Sequence, residues 1–238
     1  MPQDVVTPPH LINATHITCD ELAALARSEE RFAFSTAALQ RLQADREVVQ
    51  RHIDNGAPIY GLNTGLGGNL AYRVEASEVE AFQAQVIVGR MIGMGEPLPL
   101  HVVRAAQLAR VIGFARGGTG VSLEAAQAAM QLLDRGVTPV VPMFGSIGAG
   151  DLGLSAHLAA PVIGQGEAFF QGHRYPGAAA LQAAGLQPVR LQAKDGLGLI
   201  NASPVTAGYA ALWHQTLPNC CWWPLRLPPW LTRVMLPT

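Results

Sequence analysis

The chain is expected to be mainly α, and three features of the sequence lead to that expectation. Ala, Leu and Gly are abundant in a composition that is 49% hydrophobic, 14% charged and only 6% aromatic, which suits helices packed at close approach. Capping residues recur ahead of apolar residues spaced three and four apart, the period of a helix with one buried face. Glycine and proline clusters then punctuate these stretches where helices of ordinary length end. With 238 residues there is enough chain to bury a sizeable core.

Taken in order, His10 to Ile17 (HLINATHI) is β-branched enough for an edge strand or an extended lead-in. Thr18 and Glu21 form a capping box, and Leu22, Leu25 and Ala26 supply the apolar face of a first helix of about ten residues. Ser35 caps a longer helix with Leu39, Leu42, Val49 and Ile53 on one face, closed by Asn55-Gly56 and Pro58. Its other face, Arg41, Asp45, Arg46, Glu47 and Arg51, reads as solvated. Ser77 and Glu80 make another capping box before Val79, Phe82, Val86 and Ile87. Pro97 to Leu133 reads as one or two helices, interrupted at Arg116-Gly117-Gly118-Thr119-Gly120. Val137 to Pro142 is a buried, extended approach stiffened by Pro139 and Pro142. A helix through Ala156-His157 to Gly164, a hairpin-like excursion from Gly166 to Tyr175 and a short helix from Ala178 to Gly185 follow.

A formal net charge of -1, with the basic residues scattered, argues against a nucleic-acid partner, since phosphate binding rests on clustered positive charge. Cys19, Cys220 and Cys221 give neither a disulfide framework nor a metal-ligand spacing. No metal is expected. The first ten residues lack a signal-peptide pattern, and no run of about 18 apolar residues exists to span a membrane. A cytoplasmic protein is expected.

Three segments carry chemistry. Phe144 to His157 reads FGSIGAGDLGLSAH, a glycine turn feeding a helix start, where unpartnered N–H groups and the peptide dipole favour a developing anion. Alone, such a turn is more often a phosphate cradle or plain loop geometry. Pro58 to Gly68 reads PIYGLNTGLGG, the kind of glycine-dense loop where backbone approaches a ligand closely. Gly196 to Asn201 reads GLGLIN. In this order and at these separations the three segments resemble the signatures of the aromatic amino acid ammonia-lyases, a family that includes histidine, phenylalanine and tyrosine ammonia-lyases and related aminomutases. The resemblance covers roughly residues 5 to 212. It implies the N-terminal helical domain of the ammonia-lyase fold plus the start of a truncated central helix bundle.

The resemblance also implies roles. Tyr60 corresponds to an active-site tyrosine implicated in proton transfer, and Asn201 to an asparagine that contacts substrate or prosthetic group. Arg90 stands where histidine-type members carry a substrate-binding histidine, and could instead pair with a carboxylate. The family binds no separate cofactor; it cyclises an Ala-Ser-Gly stretch of its own backbone into a methylidene-imidazolone, with the serine as source of the methylene. Ala149, Gly150 and Asp151 mark that place here, but the segment is one residue short and the missing residue is the serine. Ser146 and Ser155 match other places in the pattern. The prosthetic group is therefore not expected to form. His157 reads as a capping or core histidine.

Beyond Leu212 the character changes. Residues 213–238 hold four tryptophans and five prolines where the family continues a long helix, so 1–212 reads as the lyase-like region and 213–238 as an aberrant, frameshifted or disordered tail. The family's homotetramer, built on the central bundle, is in doubt for such a chain. Two functional classes follow: a truncated, inactive family member, or an active histidine-type enzyme acting on an aromatic amino acid if the serine and the C-terminal half are restored.

Overall fold

A long helix with apolar residues on most of its faces has to be enclosed, and α4 (Leu100–Arg116) is buried around most of its circumference, from Val102 to Ala115. In the computed structural model, which describes residues 8–56, 58–66 and 73–216, four helices pack around it. They are α1 (Cys19–Arg27), α2 (Thr36–Asp54), α5 (Leu123–Asp134) and α9 (Pro204–Thr216). The approach of α9 is set by Gly208, where a β-carbon would lie 2.7 Å from the Ala106 nitrogen. Phe114, Leu108, Val103 and Val111 fill the centre.

Local side-chain caps start three of the helices, α1, α2 and α5. Thr18 and Glu21 form the reciprocal capping box, with Glu21 N to Thr18 Oγ1 at 3.2 Å and Thr18 N to Glu21 Oε2 at 2.8 Å. Ser35 and Ser122 accept from Ala38 N and Ala125 N at the starts of α2 and α5. The box expected at Ser77 and Glu80 does not form: Ala76–Glu78 is a tight 3-10 turn, and α3 (Val79–Val88) begins after it with no side-chain cap.

Strands are short. The lead-in narrows to β1 (His10–Ile12), which pairs in parallel with β2 (Phe32–Phe34). β3 (Met94–Pro97) pairs antiparallel with β5 (Pro142–Phe144). β4 (Thr138–Pro139) joins the hairpin of β6 (Glu167–Phe170) and β7 (His173–Pro176) in a three-stranded sheet of order β4-β6-β7. Between β5 and β6 run α6 (Leu152–Ala159) and a 3-10 turn ending at Gly164 in the left-handed region. The helices α7 (Gly177–Ala183) and α8 (Asp195–Ile200) complete the order before α9.

The charged face of α2 is solvated only in part: Arg41, Glu47 and Arg51 are exposed and Asp45 and Arg46 half-buried, and Arg46 donates to Ala193 O at 2.7 Å, Arg41 donates to Ala115 O at 3.4 Å, and the Asp45 carboxylate accepts from Gly118 N. The irregular backbone around the Arg116–Gly120 turn and before α8 leaves carbonyls and an N–H in need of partners; Arg41 and Arg46 donate to the carbonyls and Asp45 accepts from the N–H. The boundary expected at residue 212 falls within α9, and residues 217–238 lie outside the described residues. Among the described residues, no helix is long and apolar enough to cross a membrane.

Candidate active site around helix α8

The three chemistry-bearing segments meet on α8, a helix of six residues that spans only about 9 Å at 1.5 Å per residue. Two glycines make it a poor helix former in isolation. Its ends are held by buried charge of the sign that the helix dipole favours. At the amino end the Asp195 carboxylate, fully buried, accepts from Ser122 N at 2.6 Å, Ser122 Oγ at 2.7 Å and Gln192 N at 2.7 Å, with Arg46 at 4.0 Å. Burial pushes its pKa up, against the pull of these donors and of Arg46. At the carboxyl end Arg110, 7% exposed, donates Nε to Leu199 O at 2.9 Å and Nη2 to Gly198 O, and its guanidinium lies 4.3 Å from the Phe114 ring centroid. Burial lowers its pKa to about 10, so it stays a cation at neutral pH.

The Tyr60 loop reaches the amino end of α8. Gly61, at φ +70°, lies so close to Leu197 that a β-carbon there would sit 2.6 Å from Leu197 Cδ2. Gln83 of α3 bridges the two segments, donating Nε2 to Gly61 O at 3.2 Å and accepting from Gly196 N through Oε1 at 2.8 Å. Lys194, in the left-handed region at φ +80°, donates Nζ to Tyr60 O at 3.4 Å. Burial lowers its pKa. The Tyr60 side chain is 47% exposed at this surface. Gly67 and Gly68, the last residues of the motif, lie outside the described residues.

The glycine turn reaches the carboxyl end. Asp151 N donates to Ala202 O at 3.0 Å, next to Asn201, which ends α8 with its own N–H on Leu197 O at 2.9 Å. Asp151 stands at the N-cap of α6 yet does not cap it with its side chain. Its buried carboxylate instead accepts from Thr206 N at 2.7 Å and Thr206 Oγ1 at 2.8 Å, capping α9. Ala149 is exposed, and Gly150, at φ +149°, has no atom nearer than Ala202 O at 3.8 Å to a β-carbon built on it.

Arg90 belongs to the same neighbourhood through its backbone. A β-carbon on Gly153 of α6 would meet Gly145 O at 3.1 Å and Arg90 O at 3.5 Å, so this glycine lets both carbonyls crowd the helix. The Arg90 guanidinium folds back on α3, donating Nη1 to Val86 O at 3.0 Å. His157 Nε2 accepts from Gly93 N at 3.2 Å, and burial lowers its pKa, which keeps it a neutral acceptor that holds the segment after Arg90. Sequence reasoning thus located Tyr60, Ala149 to Asp151, Asn201 and Arg90 in segments that the fold gathers. It missed Gln83, Arg110 and Thr206, and their polar side chains within apolar helical stretches were the available signal.

Comparison with known proteins fits this geometry. The sequence profile of the family described as aromatic amino acid lyase matches residues 17–223. This chain belongs to that family. Among curated lyases, the histidine ammonia-lyase of Myxococcus xanthus (strain DK1622) is 40% identical over 203 residues, 85% of this chain and 40% of that protein. The histidine ammonia-lyase of Symbiobacterium thermophilum is 39% identical over 198 residues, 83% of this chain and 39% of that protein. Among solved structures, the phenylalanine aminomutase of Pantoea agglomerans superposes with a TM-score of 0.83 at 28% identity, covering 89% of this chain and 40% of that one. Histidine ammonia-lyase from Trypanosoma cruzi gives a TM-score of 0.77 at 28% identity, covering 84% and 39%. The chain therefore spans about 40% of the length of the lyases it resembles, with the same helical fold over that span.

Proposed function

We propose that this chain is a catalytically silent aromatic amino acid lyase: it keeps the scaffold of the ammonia-eliminating site but does not build the electrophile. In the family that electrophile is a methylidene-imidazolone made from an Ala-Ser-Gly backbone, and it helps an α-amino group leave. The residues present do not fit it. Gly150, between Ala149 and Asp151, has no β-carbon and no hydroxyl to lose as water, and this single observation carries the reading. The backbone around it supports the same conclusion, because the Asp151 amide is hydrogen-bonded to Ala202 O and its carboxylate to Thr206. Of the two other serines nearby, Ser146 is exposed in the turn and Ser155 is buried one helical turn into α6.

In this reading Tyr60, Asn201 and Arg90 are the proton-handling, positioning and substrate-side residues of an ancestral site for an aromatic amino acid. The tetramer of the family rests on a bundle beyond the matched span, and a stable tetramer of this chain alone is not expected. The intact mass of the purified protein tests the proposal: the unmodified sequence mass is expected, and a deficit of two waters would overturn it. Incubation with histidine, phenylalanine or tyrosine is expected to give no ultraviolet absorption from an unsaturated acid.

One observation favours a second reading. The two curated relatives named above are histidine ammonia-lyases, and a β-carbon on Gly150 would meet no atom nearer than Ala202 O at 3.8 Å. A longer chain with serine inserted between Ala149 and Gly150 would carry the family's Ala-Ser-Gly stretch, and on this reading that version is a histidine-type ammonia-lyase.

A further inference from the structure

Gln83 is fully buried in the middle of α3, a place where an apolar residue would ordinarily stand. Its amide uses both ends. The NH2 group donates to Gly61 O at 3.2 Å and the carbonyl oxygen accepts from Gly196 N at 2.8 Å, so one planar group joins two segments 135 positions apart in sequence, Gly61 and Gly196. Both partners are glycines held at contact distance. A β-carbon on Gly196 would lie 2.4 Å from Gln83 O and 3.0 Å from Gln83 Oε1, and one on Gly61 would lie 2.6 Å from Leu197 Cδ2. No other side chain type of this size presents a donor and an acceptor side by side at neutral pH in a dry site, apart from a protonated Glu.

We infer that Gln83 is a positioning residue that fixes the Tyr60 loop on the amino end of α8. The inference rests on the reading of Tyr60 as part of the ancestral site, but it concerns the geometry of the loop and not the electrophile. Gly61 follows Tyr60 directly, so a bond to its carbonyl sets the direction in which the chain leaves the tyrosine. Lys194 Nζ on Tyr60 O, at 3.4 Å and partly solvated, is the weaker tie. Removal of the Gln83 amide leaves a buried carbonyl and a buried N–H without partners. The loop is then expected to swing outward while the α4-centred core stays in place.

The test uses the full chain labelled with fluorotyrosine, followed by 19F NMR, with the Tyr60 resonance assigned from Tyr60→Phe and those of Tyr175 on β7 and Tyr209 on α9 as references. Gln83→Leu is expected to shift and broaden the Tyr60 resonance and leave Tyr175 and Tyr209 where they were. Gln83→Glu is the decisive variant, and it carries the test even where Gln83→Leu does not fold. Protonated, the carboxylic acid supplies the same donor and acceptor and the wild-type Tyr60 shift returns. Ionised, it faces Gly61 O with no donor, at the start of the helix that carries Lys194 and Asp195, and releases the loop. Burial raises its pKa, so the change is expected between about pH 5 and about pH 9, over which the parent chain is titrated in parallel. A Tyr60 signal independent of pH in Gln83→Glu, or equal changes at Tyr60, Tyr175 and Tyr209, would overturn the assignment. The intact-mass measurement reads the electrophile alone, so either idea can fail without the other.

Discussion

The two ends of α8 receive the two halves of the site in different ways. The amino end is dry and densely bonded: Asp195, Gln83 and Ser122 are all buried there, and Gly196 fits against α3 with no space for a methyl group. The carboxyl end adjoins a turn whose middle is open. Ile147 is 79% exposed, and a β-carbon on Gly148 would meet nothing within 4 Å. The contrast separates frame from chemistry. The frame that receives the tyrosine loop is over-determined, whereas the glycine turn is held at its two ends and open in the middle.

Substitutions along this contrast give effects of graded size. Gly196→Ala drives a methyl group into the Gln83 carbonyl and is expected to cost about 3 kcal/mol of unfolding free energy, read by urea denaturation. The same substitution at Gly148, where space is open and only the φ of +84° resists, should cost about 1 kcal/mol. Equal costs at the two positions would erase the distinction. Asp151→Ala removes the cap of α9 and is expected to cost about 1.5 kcal/mol, with faster hydrogen exchange at the first amides of α9 and little change in α8. The smallest effect concerns His157. Its folded pKa is lowered by burial, so an unfolded chain takes up the proton first as the pH falls below about 6.5. Stability present above that value is lost as the pH drops toward the folded value, and the protonated ring can no longer accept from Gly93 N. A His157→Gln variant should lack this part of the acid-side decline in denaturant midpoint.

Much of this was legible because the causes are local. Thr18, Ser35 and the Arg116–Gly120 break announce themselves within a few residues, and the helices appear where they point. The Ser77 signal misled because a capping box and the first residues of a 3-10 turn share the same residue types. Helix α8 was not legible as a helix at all: Gly196 and Gly198 speak against one locally, and the charges that hold it come from Asp195 at its own start and from Arg110, 88 positions from Gly198. The site was legible as segments, through the three motifs and the place of Arg90. The couplings between those segments were not, since Gln83 to Gly196 and Asp151 to Thr206 join residues 113 and 55 positions apart. The charged face of α2 reads as surface until the carbonyls it serves are known.

Asp151 fastens the downstream end of the glycine turn at three points, to Ala202 and twice to Thr206, while Gly145 packs its upstream end against Leu154 and Gly93. The stretch between them behaves as a strap held by two fixed buckles: a residue gained or lost changes the slack, which is taken up in solvent above Gly148. Neither α6 nor α9 has to move. A segment tied in this way can differ by one residue in length while both of its fastenings stay in place.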